Sequence, residues 1–167
     1  MPDQPALIYD FSSLGAGLPN PFVLVEVYNA HKQGPGLVVP ALVDSGAERT
    51  FVPRYLAEQI GHVFDAGDEV PTDGIAGRTI GRKHKMIIRL LGPKAVLSDP
   101  TSFRPIPYDF VIDATCCDNP KFGLLGCHDF LVHWEFRLRV SLKIFHLVPF
   151  SPDIKRAVAQ WRKQSQK

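Results

Sequence analysis

The 167-residue chain predicts a mainly β domain, and three observations lead there. Short runs rich in Val, Ile, Phe, Tyr and Leu recur between breaks that contain Gly or Pro, at residues 21–30, 37–43, 85–91 and 106–114. Over 134–140 the pattern has period two. Trp134, Phe136, Leu138 and Val140 share one face, with Glu135, Arg137 and Arg139 opposite. Helical spacing is confined to 54–60 and to the tail beyond Pro152.

Taken in order, residues 1–20 hold several Pro and Gly residues and little periodicity, and read as a loosely attached lead-in. The main domain is expected over 21–150. Residues 21–30 form a first strand, 31–36 a turn, and 37–43 a second strand antiparallel to the first because the connection is short. After Asp44 comes a turn and a very short strand, Thr50, Phe51 and Val52. Pro53 can open a helix over 54–60, with Gly61 as its stop. Residues 62–82, with Gly74, Gly77 and Gly81, suggest a mobile hairpin. Strands follow at 85–91 and 106–114, separated by a surface loop, and 122–126 is a short buried segment. Residues 141–143 suggest a weak turn into a last strand at 144–148. In the basic tail, 151–167, Ile154, Val158 and Trp161 lie at helical spacing and predict a short docked helix.

The composition narrows function. Apolar content of 45%, charged content of 22% and a net charge of +2 fit an ordinary globular domain and give no footing for nucleic acid or an anionic membrane as main partner. Residues 1–10 lack the basic-then-apolar layout of a secretory signal, and the apolar run at 37–43 is far short of the ~20 residues that span a bilayer. A cytoplasmic protein with reduced thiols is expected, since the three cysteines are odd in number and two are adjacent. No cofactor and no metal site is expected. Cys116, Cys117, Cys127 and His128 lack the C-x-x-C spacing that reaches one zinc ion. Cys127, His128 and Asp129 are consecutive, and consecutive residues cannot assemble a catalytic triad. Arg82, Lys83, His84 and Lys85 read as a solvated face, and His31, His62, His133 and His146 show no ligand spacing.

The stretch around Asp44 carries the chemistry. An apolar run ending in Leu42 and Val43 delivers a carboxylate into a turn made by Ser45 and Gly46, and a second apolar pair, Phe51 and Val52, follows. Burying an unpartnered charge is costly, so a strand seldom ends this way without a reason. Taken alone, the segment reads as a strand and an Asx turn.

The order of three segments says more. Leu42-Val43-Asp44-Ser45-Gly46-Ala47 followed by Thr50-Phe51-Val52 resembles the active-site loop of the retropepsin-like aspartic proteases. Gly74-Ile75-Ala76-Gly77 lies where that family carries its Gly-rich flap. Leu124-Leu125-Gly126, after Gly123, resembles the family's second signature, with Asp129-Phe130-Leu131 close behind. The resemblance spans roughly residues 20–148. It implies a closed, barrel-like β domain with one short helix, and an aspartic endopeptidase that works as a homodimer on a peptide or protein substrate. Asp44 would be the catalytic residue. Ser45, Gly46, Ala47, Leu124, Leu125 and Gly126 would support its loop. Gly74, Ile75, Ala76 and Gly77 would form a flap over an extended substrate, stiffer than in viral members, which commonly have Gly at the position of Ala76.

The chemistry needs two carboxylates sharing a proton around one water, because like charges that close do not both ionise easily. One chain offers one Asp-Ser-Gly, so the resemblance implies that a twofold dimer supplies the second. A dimerisation or peptide-binding module of the same fold, without proteolysis, is the competing reading. The second signature departs from the family. Cys127 and His128 separate Gly126 from Asp129, where one residue is usual, either by insertion or with His128 substituting in register. An ion pair between Arg49 and Asp129 is expected in place of the family's reversed pair. The tail or the lead-in is also a candidate to alter dimer strength.

Overall fold

A computed structural model describes residues 6–12, 19–31, 34–74, 77–118 and 120–165. Strand β1 (Leu7–Asp10) opens the chain, followed by β2 (Phe22–Asn29) and β3 (Leu37–Val43). Next come β4 (Phe51–Pro53), α1 (Arg54–Gln59), β5 (Asp68–Gly74) and β6 (Gly77–Leu91). Strands β7 (Pro105–Cys117), β8 (Gly123–Leu125), β9 (Trp134–Arg139) and β10 (Ile144–Pro149) lead to the terminal helix α2 (Pro152–Ser165). Short 3-10 turns punctuate the connections. Among the described residues no helix is long and apolar enough to cross a membrane.

Six strands close on themselves in the order β2, β3, β8, β4, β7, β6 and back to β2, and β5 hangs on β6 outside this ring. Closure removes the free edges that an open sheet would leave. The inward faces are the alternate apolar residues of each run: Val23, Val25 and Val27 on β2, Met86, Ile88 and Leu90 on β6, Ile106, Phe110 and Ile112 on β7. One placement decides the site. Strands β3 and β4 are consecutive in sequence but not neighbours, because β8 lies between them, parallel to β3 and antiparallel to β4. The connection from β3 to β4 therefore crosses the end of β8.

A second sheet, β1–β10–β9, packs beside the barrel. Residues expected to be a loose lead-in instead form β1, paired to β10 from Leu7↔Leu147 to Asp10↔Ile144, with Leu7 and Tyr9 buried. Tyr9 stacks on Phe145 at 5.2 Å, and its hydroxyl donates to the Leu91 carbonyl at 2.8 Å, tying this sheet to the barrel. Burial pushes the Tyr9 phenol pKa well above its ordinary value. The alternation in β9 is only half used. Trp134 and Phe136 turn inward, whereas Leu138 is 48% exposed, and Val140, 64% exposed, lies in the 3-10 turn after the strand.

Two strands are longer than the apolar runs predict. Strand β6 begins at Gly77 and carries Arg82, Lys83 and Lys85, and β7 runs on to Cys117. Long strands continue through polar residues where a neighbour still supplies backbone partners, here β5 for the first half of β6 and β7 for the second. Helix α2 docks by Ile154, Ala157 and Val158. Its Trp161 lies so close to Gly92 that a Cβ there would stand 2.2 Å from the indole. The Arg162 guanidinium donates to the Ala6 carbonyl.

Candidate active site

Asp44 follows the last residue of β3 and is half-buried, with Ser45 and Gly46 exposed beside it. Its backbone N–H donates to the Leu125 carbonyl at 3.2 Å, extending the β3–β8 pairing by one bond. The side chain turns back on its own loop, and Oδ1 accepts from the Gly46 N–H at 2.8 Å. The Asp44 carbonyl accepts from the Ala47 N–H at 3.2 Å and closes the turn. No protein donor to Oδ2 is present among the described residues. The arrangement leaves one oxygen of a fixed carboxylate for a ligand.

Residues 44–50 arch over the end of β8. Leu42 and Leu124, and Val43 and Leu125, are register partners, so the two apolar pairs of the sequence lie side by side beneath the arch. At Gly126 a Cβ would stand 2.3 Å from both the carbonyl carbon and the oxygen of Arg49, so only glycine allows the crossing. The segment after Gly126 stitches the arch along its length. Cys127 N–H donates to the Ala47 carbonyl and His128 N–H to the Glu48 carbonyl, each at 2.9 Å. Cys127 Sγ donates to the Ser45 carbonyl at 3.3 Å. Thr50, fully buried, accepts from Gly126 N–H on Oγ1 at 3.2 Å, while its carbonyl accepts from Thr115 N–H at 3.0 Å.

The expected ion pair between Arg49 and Asp129 does not form. Asp129 Oδ2 accepts instead from the Thr50 N–H at 2.8 Å, a charge-assisted bond to a backbone donor. His128 takes no part in this bond. It is turned outward, largely exposed, with Nδ1 3.5 Å from Glu48 Oε1. Sequence reasoning missed Thr50 as the other partner of this lock, although a polar residue directly before the apolar Phe51–Val52 pair was a signal.

Of the residues expected to form a flap, Gly74 and Gly77 pair with each other at the end of the β5–β6 ladder, which descends to Asp68↔Lys83. Gly77 has φ of +106°, a conformation that favours glycine. Ile75 and Ala76 lie outside the described residues. At the hairpin's base, His84 is buried, with Nε2 3.1 Å from the Phe64 carbonyl and its ring 4.7 Å from that of His62. Arg82 pairs with Glu69 at 2.8 Å across the strands. Cys116 and Cys117 are buried in β7, and burial pushes the Cys116 thiol up to about 12.

No protein-family model matches the sequence, and no curated protein matches it. Among solved structures the chain is similar to a retropepsin-like aspartic protease from Rickettsia conorii. The two superpose with a TM-score of 0.52 at 12% identity, over 85% of this chain and 89% of that one. A likeness at that identity speaks to architecture. The closed six-stranded barrel with its terminal helix has the retropepsin-like fold.

Proposed function

We propose that the chain is an aspartic endopeptidase that hydrolyses peptide bonds as a homodimer, with Asp44 of each copy at a shared site. The observation that carries this reading is the braced arch, which holds a half-buried carboxylate with one oxygen committed to Gly46 and the other free for a ligand. A loop fixed by so many bonds suits chemistry that needs its acid and base in set positions. The ionised Asp44 takes a proton from water as the water oxygen attacks the scissile carbonyl carbon. The protonated Asp44 of the second copy donates to the carbonyl oxygen. Collapse of the gem-diol breaks the C–N bond, and a proton passes to the leaving amine. One chain supplies one carboxylate, so a twofold axis beside the turn supplies the other.

Ser45 and Gly46, exposed next to Asp44, would meet their mates across that axis, and Ala47, Leu124, Leu125 and Gly126 would hold the arch. Gly74, Ile75, Ala76 and Gly77 would close over an extended substrate that pairs through its main chain. The test is digestion of casein and a peptide library across pH by wild type and Asp44→Asn, with oligomeric state measured in parallel. Wild type should cleave, and the variant should lose about 10³-fold in kcat/KM while dimerising normally. No cleavage at any pH by a protein that dimerises would favour the non-catalytic module, and cleavage unchanged by Asp44→Asn would remove Asp44 from the mechanism.

A further inference from the structure

A trough of about 620 Å³ lies between the C-terminal half of α2 and the start of β7, and no residue of the 44–50 arch lines it. Its lining includes Trp161, Tyr108, Pro105, Pro107, Arg104 and Gln164. The aromatic walls are fixed. Trp161 Nε1 donates to the Arg104 carbonyl at 3.0 Å, and Tyr108 packs edge-on against Phe110 at 4.7 Å.

The charges are unequal in what they have left to give. Arg89 is committed: Nε and Nη2 grip Asp109 at 2.7 and 3.1 Å, and Nη1 lies 3.7 Å from Glu26. Arg104 is exposed and makes no ion pair among the described residues. Its Nη1 donates to the Thr101 and Phe103 carbonyls at 2.8 and 3.0 Å, which holds the guanidinium in place and leaves Nε and Nη2 unused. With Arg89 and Asp109 cancelling, Arg104 is the available cation among the described lining residues, beside flat apolar rings. The two prolines have no N–H to offer, so an occupant is not held there by strand addition. A single guanidinium matches a carboxylate, whereas a nucleic acid backbone asks for a row of cations.

We propose that this trough docks an acidic peptide segment of a partner protein, an aromatic side chain lying against Trp161 and Tyr108 and a neighbouring carboxylate on Arg104. The site is separate from the arch and stands whether or not the chain is a protease.

Intrinsic fluorescence tests it directly, because Trp134 is buried and Trp161 is the tryptophan that meets the trough. The full chain is titrated with the blocked peptide Gly-Asp-Phe-Glu-Gly, with its Asn/Gln counterpart and with its Lys counterpart. The acidic peptide should give a saturable change that weakens with added salt. The amide peptide should bind about tenfold more weakly and the Lys peptide not measurably. Arg104→Glu should weaken the acidic peptide by about tenfold or more. Gln164 is exposed on the helix and tolerates substitution, so Gln164→Lys should tighten binding about threefold and Gln164→Glu should weaken it by a similar factor. No saturable response to the acidic peptide, equal affinity for the amide peptide, indifference to the Gln164 substitutions, or tighter binding of a short RNA would each overturn the proposal.

Discussion

The arch at residues 44–50 and the outer part of the hairpin, residues 70–81, are both built from short Gly-containing motifs, yet they are held in opposite ways. The arch is bonded from below at nearly every residue, by Leu125, Gly126, Cys127, His128 and Asp129, and it crosses a strand that runs between its own two ends. The outer strand of the hairpin, β5, is bonded along one edge only, to β6. One loop is fixed by tertiary contacts from a distant segment, the other by its own ladder. Damage to the arch should therefore spread to the whole fold, while damage to the hairpin should stay where it is made.

The harshest way to break the arch is Gly126→Ala. The added methyl meets Arg49 backbone and not a flexible side chain, so the crossing itself must shift. A loss of about 3 kcal/mol or more is expected, read as a fall in Tm of roughly 10 °C or as failure to accumulate folded protein. A Tm within a degree of wild type would mean that the arch is softer than its bonding implies.

Asp129→Ala removes the acceptor of the Thr50 N–H and should cost about 2 kcal/mol. Asp129→Asn, which keeps an oxygen there, should cost under about 1 kcal/mol, and Arg49→Ala should be close to neutral. Chemical denaturation of the three variants separates this lock from the ion pair it replaces. Equal losses for Asp129→Ala and Arg49→Ala would restore the ion pair.

Gly77→Ala probes the other side of the comparison. A Cβ there meets nothing, so the cost is backbone strain at φ +106°, about 1 kcal/mol. Hydrogen exchange should quicken near the hairpin tip and remain unchanged in β3 and β8. Faster exchange at the arch would show that the two loops are coupled.

The smallest effect concerns neither loop. Desolvation holds the pKa of His133, and of His146 beside Arg139 and Arg137, below the ordinary histidine value. The unfolded chain then binds more protons than the folded one as pH falls through about 6.5 toward the folded values, so stability should drop over that window. Tm measured between pH 7 and 5 should decline, and less so in His146→Gln. A flat or rising Tm would reverse the assignment. The loss would fall on the β1–β10–β9 sheet, which packs beside the barrel and not under the arch.

What could be read from the sequence follows from where the information sits. Asp44, Ser45 and Gly46, the Leu124-Leu125-Gly126 set and the glycines of the hairpin are local patterns, and the barrel fold came with their order along the chain. The β1 strand was illegible because four residues of alternating character are too few to stand out. Its partner is β10, more than a hundred residues away. The Asp129–Thr50 bond was illegible for a related reason. Residues 50 and 129 lie far apart in sequence, and no local pattern marks Thr50 as the donor that meets Asp129. The trough beside α2 joins residues from β6, β7 and the tail, none of which forms a motif in sequence.

The placement of β8 between β3 and β4 has a consequence for how the protein comes into being. Residues 44–50 are made early, but the strand they must cross ends at Leu125 and the residue that locks them is Asp129. A ribosome-bound chain that has released only β1 to β7 has Asp44 but no arch to hold it. Closing a contact over some 80 residues is slow compared with forming a hairpin, so this is among the last parts of the domain to set. A growing chain thus lacks the braced Asp44 loop until Asp129 has left the ribosome.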